Sequence, residues 1–535
     1  MKFSKAECIV GGSKEMASKT LFNTQRGNMA PAADTFNQAG GLAYKYSAEH
    51  ALAQYAVTGC FTSTFYASAE DQLGKVLEFA AQVEPEFIAK LAVFARERGF
   101  MKDMPALLTA ILTVRAPELV PAVFKRVIDN GRMVRNFVQI MRSGVVGRKS
   151  LGTMPKRLVK EWINARGESS LFMDSVGASP SMKDVIKMVR PKPESLMRQA
   201  LYGYLIDKEY DAEKLPQVVR DYEAFKADQS QPLPKVEFRL LTALNLTQAH
   251  WAGIARNAGW QMTRMNLNTF ARQGVFNEKG MDRVIADRLR DENAIRKAKA
   301  FPYQLMAAYT MAGEGVPKMV TEALQDAMEI ALQNVPALEG RVVVLPDTSG
   351  SMTQSVSGYR PGASSKVRCI DVAALVAAAI LAKNKDAEIL PFATSVHQVR
   401  LNPRDSVMTN ATKLAQLGGG GTNCSAPLVE LNRRKAVVDT VVFVSDNESW
   451  IDTNGRYAGY NSGTAVMQEW LKLKQRNPSA KMVCIDVVPN AYTQAMERDD
   501  ILNVGGFSDQ VFTVMKSFLS DNPQTWVRTI REIEL

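Results

Sequence analysis

From Pro31 to about Pro336 the apolar residues recur every three to four positions, broken briefly at Gly, Pro and Asn. That spacing predicts helices over Glu84–Arg98, Glu118–Asn130, Pro155–Arg166, Met182–Met188, Glu194–Leu205 and Lys318–Asn334, among others. Many medium helices with short links and no strand clusters imply an α-solenoid or irregular helical-repeat array, although no fixed-period repeat is present. After Pro336 the pattern changes. β-rich runs at Val342–Leu345, Glu388–Phe392, Val396–Leu401, Val441–Val444 and Met482–Val488 alternate with helical stretches at Val367–Lys383, Ser425–Lys435, Val466–Gln475 and Gln510–Leu519. Such alternation predicts a doubly wound, largely parallel sheet. The expected organisation is a polar arm over 1–30, a helical-repeat unit over 31–337 and an α/β domain over 338–535.

The most informative chemistry lies where these strands end. Asp347-Thr348-Ser349-Gly350-Ser351 follows the buried run Val342–Leu345. Pro346 precedes it and, lacking a ladder donor, is expected to close the strand at Leu345. Thr422 follows the glycine run Gly418–Gly421, and Asp446 ends Val441–Ser445. Open α/β sheets bind ligands at the carboxyl ends of their strands. Asp347, Ser349, Ser351, Thr422 and Asp446 offer carboxylates and hydroxyls but no His or Cys, the donor set a hard divalent cation such as Mg2+ or Mn2+ selects. The pattern is that of a metal-ion-dependent adhesion site; DTSGS alone would equally suit a polar turn. The segment Thr353–Lys366, rich in Ser, Gly and Arg, is placed to overhang this turn.

Composition narrows the classes. At 535 residues, 46% hydrophobic and 23% charged, the chain is ordinary globular protein with room for several cores. No apolar run approaches a membrane span, and the N-terminus MKFSKAECIVGGSKE lacks the apolar centre of a secretory signal. Five scattered cysteines without a CxxC pair suggest reduced thiols in a cytoplasmic setting. Three histidines leave little for histidine-based catalysis.

The net charge of +11 becomes informative once located. Arg132–Arg198 carries 14 Lys and Arg against five acids, Glu161, Glu168, Asp174, Asp184 and Glu194. Within it Arg148, Lys149, Lys156, Arg157, Lys160, Lys183, Lys187 and Arg190 fall in pairs or one helical turn apart. A stripe of this kind neutralises phosphates, although a merely solvated basic face has the same composition. Trp162 and Phe172 are expected in the core. Gly144–Ser150 lacks the glycine spacing and preceding strand of a phosphate loop.

Asn37-Gln38-Ala39-Gly40-Gly41, Gly59, Thr64–Ser68, Pro302-Tyr303, Asp347–Met352, Gly420-Gly421-Thr422-Asn423-Cys424, Asp446-Asn447-Glu448 and Gly505-Gly506-Phe507 together resemble the Ro autoantigen family. The resemblance runs from about Asn37 to Leu519. It implies a monomeric closed ring of HEAT-like helical repeats, the TROVE module, joined to a von Willebrand factor A domain. It further implies a non-enzymatic protein that captures single-stranded 3′ ends of misfolded or damaged noncoding RNA and binds Y or Y-like RNA. Bacterial members are similar to adaptors that present RNA to an exoribonuclease. By position, Asp347, Ser349, Ser351, Thr422 and Asp446 become metal ligands, and the segment with Lys156, Arg157, Lys160, Lys183 and Lys187 the RNA-gripping region. The chain departs from animal members at Met182, where they carry a His important for Y RNA contact. The competing reading is a metal-dependent protein–protein adaptor with no RNA role. A nuclease fits poorly, because a single hydroxyl-rich cation site lacks the paired carboxylates of two-metal phosphodiester chemistry.

Overall fold

The computed structural model describes residues 30–59, 63, 67–177, 180–298, 302–333, 335–356, 367–451, 462–506, 508, 510–520 and 525–535. The expected arm lies almost wholly outside them, as does most of the segment expected to overhang the DTSGS turn. The first half is helical from Ala48–Thr58 to Lys318–Ala331. Local chemistry sets the helix starts: Ser68 with Asp71 and Ser181 with Asp184 form reciprocal caps in which the Ser hydroxyl accepts from the third helical N–H. Some helices, such as Asp103–Arg115, are buried all round, whereas others bury one face. In Thr153–Ala165, Pro155, Leu158, Val159 and Ile163 point inward, which leaves Lys156 and Arg157 outside.

In the second half, β3 (Val342–Pro346), β4 (Glu388–Ile389), β5 (Thr440–Ser445), β6 (Lys481–Asp486) and β8 (Ile501–Gly505) form a parallel five-stranded sheet in the order β4-β3-β5-β6-β8. All the carboxyl ends therefore lie along one edge. Three details depart from the sequence expectation. Strand β3 runs through Pro346, which is tolerated at the terminal position because the donor it lacks would face β4, which ends at Ile389, while the N–H of Asp347 keeps the β5 ladder by donating to Val444 (2.9 Å). The run Val396–Leu401 forms no strand; Phe392 and Val396 share only an isolated bridge. Strand β8 and the helix Val407–Ala415 were not anticipated.

The opening of the helical half is also not helical. Strands β1 (Thr35–Phe36) and β2 (Leu42–Lys45) form a hairpin, and β2 pairs antiparallel with β7 (Tyr492–Thr493) from the other half of the chain. Ala33, Leu42 and Tyr44 pack into the same apolar cluster as Leu345, Phe443 and Trp470.

The helical array begins and ends on the α/β domain. Ala48–Thr58 packs against β8 and against the C-terminal helix Trp526–Arg531, while Pro302–Thr310 and Lys318–Ala331 pack against Cys369–Lys383 and Val407–Ala415. One continuous apolar cluster joins Leu52 and Phe94 of the array to Val504, Phe512 and Trp526. Among the described residues no helix is long and apolar enough to cross a membrane.

Candidate metal centre and basic cleft

Strands β3 and β5 are neighbours in register, Pro346 opposite Val444, so Asp347 and Asp446 leave the sheet side by side. Asp347 Oδ1 accepts from the Ser349 N–H (2.8 Å) and Oδ2 from the Ser445 hydroxyl (2.6 Å). That turn sends Ser349 and Ser351 back over the strand end, their hydroxyl oxygens 3.2 Å apart. The glycine run closes over the same turn: Gly419 N–H donates to Thr348 C=O and Gly350 N–H to Gly420 C=O, both at 2.9 Å. Gly419 and Gly420 have φ of +137° and +88°, which L side chains rarely adopt, and the bend leads directly into buried Thr422, whose carbonyl accepts from the N–H groups of Trp450 and Ile451 (both 3.2 Å). All five residues, Asp347, Ser349, Ser351, Thr422 and Asp446, are buried.

Two buried carboxylates beside three hydroxyls form an unfinished electrostatic arrangement. Burial pushes Asp347 well above the usual carboxylate range, and the neighbouring Asp446 adds repulsion. Burial raises Asp446 too. Asp446 Oδ1 accepts from the Glu448 N–H (3.3 Å), whereas Oδ2 is buried with no hydrogen-bond partner. An orphaned carboxylate oxygen facing clustered hydroxyls is what a hard cation satisfies, and the donor set fits one. Among the described residues no group of three or more His, Cys, Asp or Glu is arranged to hold a metal; the fit here depends on hydroxyl donors.

Behind the site lies a second layer that sequence reasoning missed. Asp486 Oδ2 accepts from Tyr46 Oη (2.8 Å) and Gln54 Nε2 (2.7 Å), and Oδ1 from Asn447 Nδ2. Glu448 accepts from Tyr492 Oη and from the Ala39 N–H (3.0 Å). Burial pushes both carboxyls up to about 8. The only sequence signal was the Asp446-Asn447-Glu448 string; Asp486 lies within the β-rich run Met482–Val488 and nothing in the sequence marks it out.

The basic residues divide. Arg142, Lys149, Lys156, Arg157 and Lys160 line an open cleft of about 650 Å3, together with Ser150–Thr153 and Met188. No acidic residue lines it. Positive φ at Gly144, Gly147 and Gly152 lets the connecting loop fold tightly enough to bring Lys149 over the helix that carries Lys156 and Lys160. Arg142, absent from the expected set, reaches the cleft from the last turn of Gly131–Ser143. Arg148 does other work: its guanidinium donates to Thr113 C=O (2.7 Å) and ties the loop down. Lys183 pairs with Asp207, and Lys183, Lys187 and Arg190 are not among the lining residues. Phe172 is core, as expected, and Trp162 lies under the Arg166 guanidinium, 5.1 Å from its ring centre.

Comparison with known proteins places this geometry. Residues 341–519 match the family model described as the Ro60 vWA domain. A protein named RNA-binding protein RO60 from Deinococcus radiodurans is 24% identical over 519 residues, covering 90% of this chain and 94% of that protein. A protein of the same name from Caenorhabditis elegans is 23% identical over 201 residues, 35% of this chain and 30% of its own length. The crystal structure of the D. radiodurans RO protein superposes with a TM-score of 0.59 at 20% identity, covering 89% of this chain and all of that one. Residues 341–519 are thus similar to the Ro60 vWA domain, and over most of its length, helical array included, the chain is similar to the D. radiodurans RNA-binding protein RO60.

Proposed function

We propose that this protein binds RNA through the cleft lined by Arg142, Lys149, Lys156, Arg157 and Lys160. The carrying observation is the convergence of five cations on one concave surface, where the one printed acidic partner is Glu161, 3.6 Å from Arg157. Lys and Arg side chains neutralise successive phosphates, release counterions and read no base edges, so capture is electrostatic and tolerant of sequence. The names of the D. radiodurans and C. elegans relatives support RNA as the ligand. The finer reading is a protein of noncoding-RNA quality control, acting in the cytoplasm. It takes the single-stranded 3′ ends of misfolded RNA, binds a Y or Y-like RNA and hands substrates to an exoribonuclease. Nothing in this reading requires bond cleavage by the protein itself.

Asp347, Ser349, Ser351, Thr422 and Asp446 would hold a Mg2+ or Mn2+ ion. Bound there, the ion supplies a positive centre with a position open to a carboxylate or phosphate oxygen. The protein's own contribution is to keep Asp347 fixed through Ser445 and the Ser349 N–H, and to hold Asp446 Oδ2 without a competing donor.

A gel-shift titration against salt, with a duplex carrying a single-stranded 3′ tail, tests the RNA reading. Lys156→Glu/Lys160→Glu should weaken binding by at least tenfold and flatten its salt dependence. Tail-independent or salt-insensitive binding would support the protein-adaptor alternative instead, and RNA shortened by the pure protein with Mg2+ would revive a nuclease.

A further inference from the structure

Charge in the basic cleft is denser than a passing strand requires. Arg142, Lys149, Lys156, Arg157 and Lys160 surround a volume of about 650 Å3. A strand that advances about 3.4 Å per phosphate lays two or three single charges across the roughly 9 Å width of such a volume. Among the described residues Arg142, Lys149, Lys156 and Lys160 form no ion pair, and Arg157 has only the exposed Glu161 at 3.6 Å. A strand therefore answers about half of the positive charge and leaves the other cations repelling one another.

The cleft also carries donors suited to phosphate oxygens. Ser150 and Thr153 line it, and the helix Thr153–Ala165 opens at Gly152 without a side-chain cap. The loop presenting Lys149 and Ser150 is anchored before any ligand arrives. Arg148 donates to Thr113 C=O (2.7 Å), the Gly147 N–H to Gly144 C=O (3.0 Å), and Ser143 Oγ to Ile140 C=O (2.7 Å). A loop fixed in advance loses little freedom on binding.

A triphosphate differs from a strand in charge per length. Its inner phosphates carry one charge each and its terminal phosphate up to two, about four charges within the reach of one nucleotide. We infer that the cleft is a site for a condensed-phosphate end group, the 5′-triphosphate of an RNA. This inference rests on the reading of the cleft as an RNA site and adds which part of the RNA is gripped. In an RNA whose two ends pair, the 5′ end lies at the foot of the 3′ tail, so one molecule presents both.

Fluorescence anisotropy with the full chain in EDTA, which keeps the metal centre out of the measurement, tests this. The probes are one RNA duplex with a single-stranded 3′ tail, its recessed 5′ end carrying a triphosphate, a monophosphate or a hydroxyl. At constant ionic strength the triphosphate form should bind about tenfold more tightly than the hydroxyl form, with the monophosphate between them. Lys149→Gln/Lys156→Gln should bring the three forms within about twofold of one another. Lys125→Gln/Lys214→Gln removes the same charge from exposed positions outside the cleft and should keep the ranking. Equal affinity for the three end groups in the unmodified protein overturns this inference and leaves the RNA reading standing. Absence of binding to all three removes both. Equal loss of preference in the two double variants overturns the assignment to the cleft. Competition by ATP or tripolyphosphate at the RNA's own affinity overturns the RNA end as the source of the group.

Discussion

Gln54 Nε2 donates to Asp486 Oδ2 at 2.7 Å, linking the first helix of the array to the carboxyl end of a sheet strand more than four hundred residues away. The same carboxylate takes the Asn447 amide, and Asn447 directly follows Asp446 in an αL conformation (φ +62°). One buried Asp thus stands between the candidate metal centre and the junction of the two halves.

That junction tolerates no added bulk. A Cβ on Gly505 would fall well inside contact with Gln54 Oε1 and 3.2 Å from Thr58 Cγ2. Gly505→Ala is expected to push Ala48–Thr58 away from β8 and to lower the thermal midpoint by several degrees, read by calorimetry. Gly74→Ala, on an open helix face, should leave it unchanged or slightly raised.

Stability should depend on pH through Asp486 and Glu448. Their folded pKa values of about 8 lie above the ordinary carboxylate range, so between roughly pH 4 and 8 the folded state binds more protons than the unfolded one. These two groups therefore make stability fall as pH rises through that window and level off above it. Asp486→Asn, which keeps an amide oxygen for Tyr46 and Gln54, should flatten the decline in a pH series of melting curves.

Cation affinity should run the opposite way. Uptake requires Asp347 and Asp446 charged, and both are raised by burial. Mg2+ or Mn2+ affinity should increase with pH across the neutral range, with proton release visible as a buffer-dependent binding enthalpy. Asp446→Asn removes a charged ligand and the repulsion on Asp347, so it should abolish uptake while stabilising the cation-free protein.

Within the basic segment, residues of one charge should separate into two behaviours. Lys156→Ala or Lys160→Ala should reduce the slope of log affinity against log salt by about one each and leave the melting temperature alone. Arg148→Ala should do the reverse. It leaves Thr113 C=O without its guanidinium donor and costs about 1–3 kcal/mol of stability, read in urea unfolding.

These predictions mark where sequence was sufficient. Asp347, Thr422 and Asp446 could be placed on one edge because each follows a strand-like run or a glycine turn, and parallel strands align their ends. The helix carrying Lys156, Arg157 and Lys160 was legible from its apolar face. What could not be read was pairing between distant segments. The hairpin Thr35–Lys45 is too short to show a period, and its partner Tyr492–Thr493 lies in the other half. Arg148 and Lys149 are adjacent and alike in charge, yet only the fold shows one guanidinium spent on a carbonyl and the neighbouring ammonium left to line a cleft.

The C-terminal helix Trp526–Arg531 carries a further implication. Trp526 and Ile530 are fully buried, Arg531 pairs with Glu49 (2.7 Å), and Lys90 donates to the Arg531 carbonyl (2.8 Å). A helix near residue 530 thus grips helices formed within the first hundred residues, so the circuit locks only when segments far apart in sequence have met, which raises the loop-closure cost of its last step.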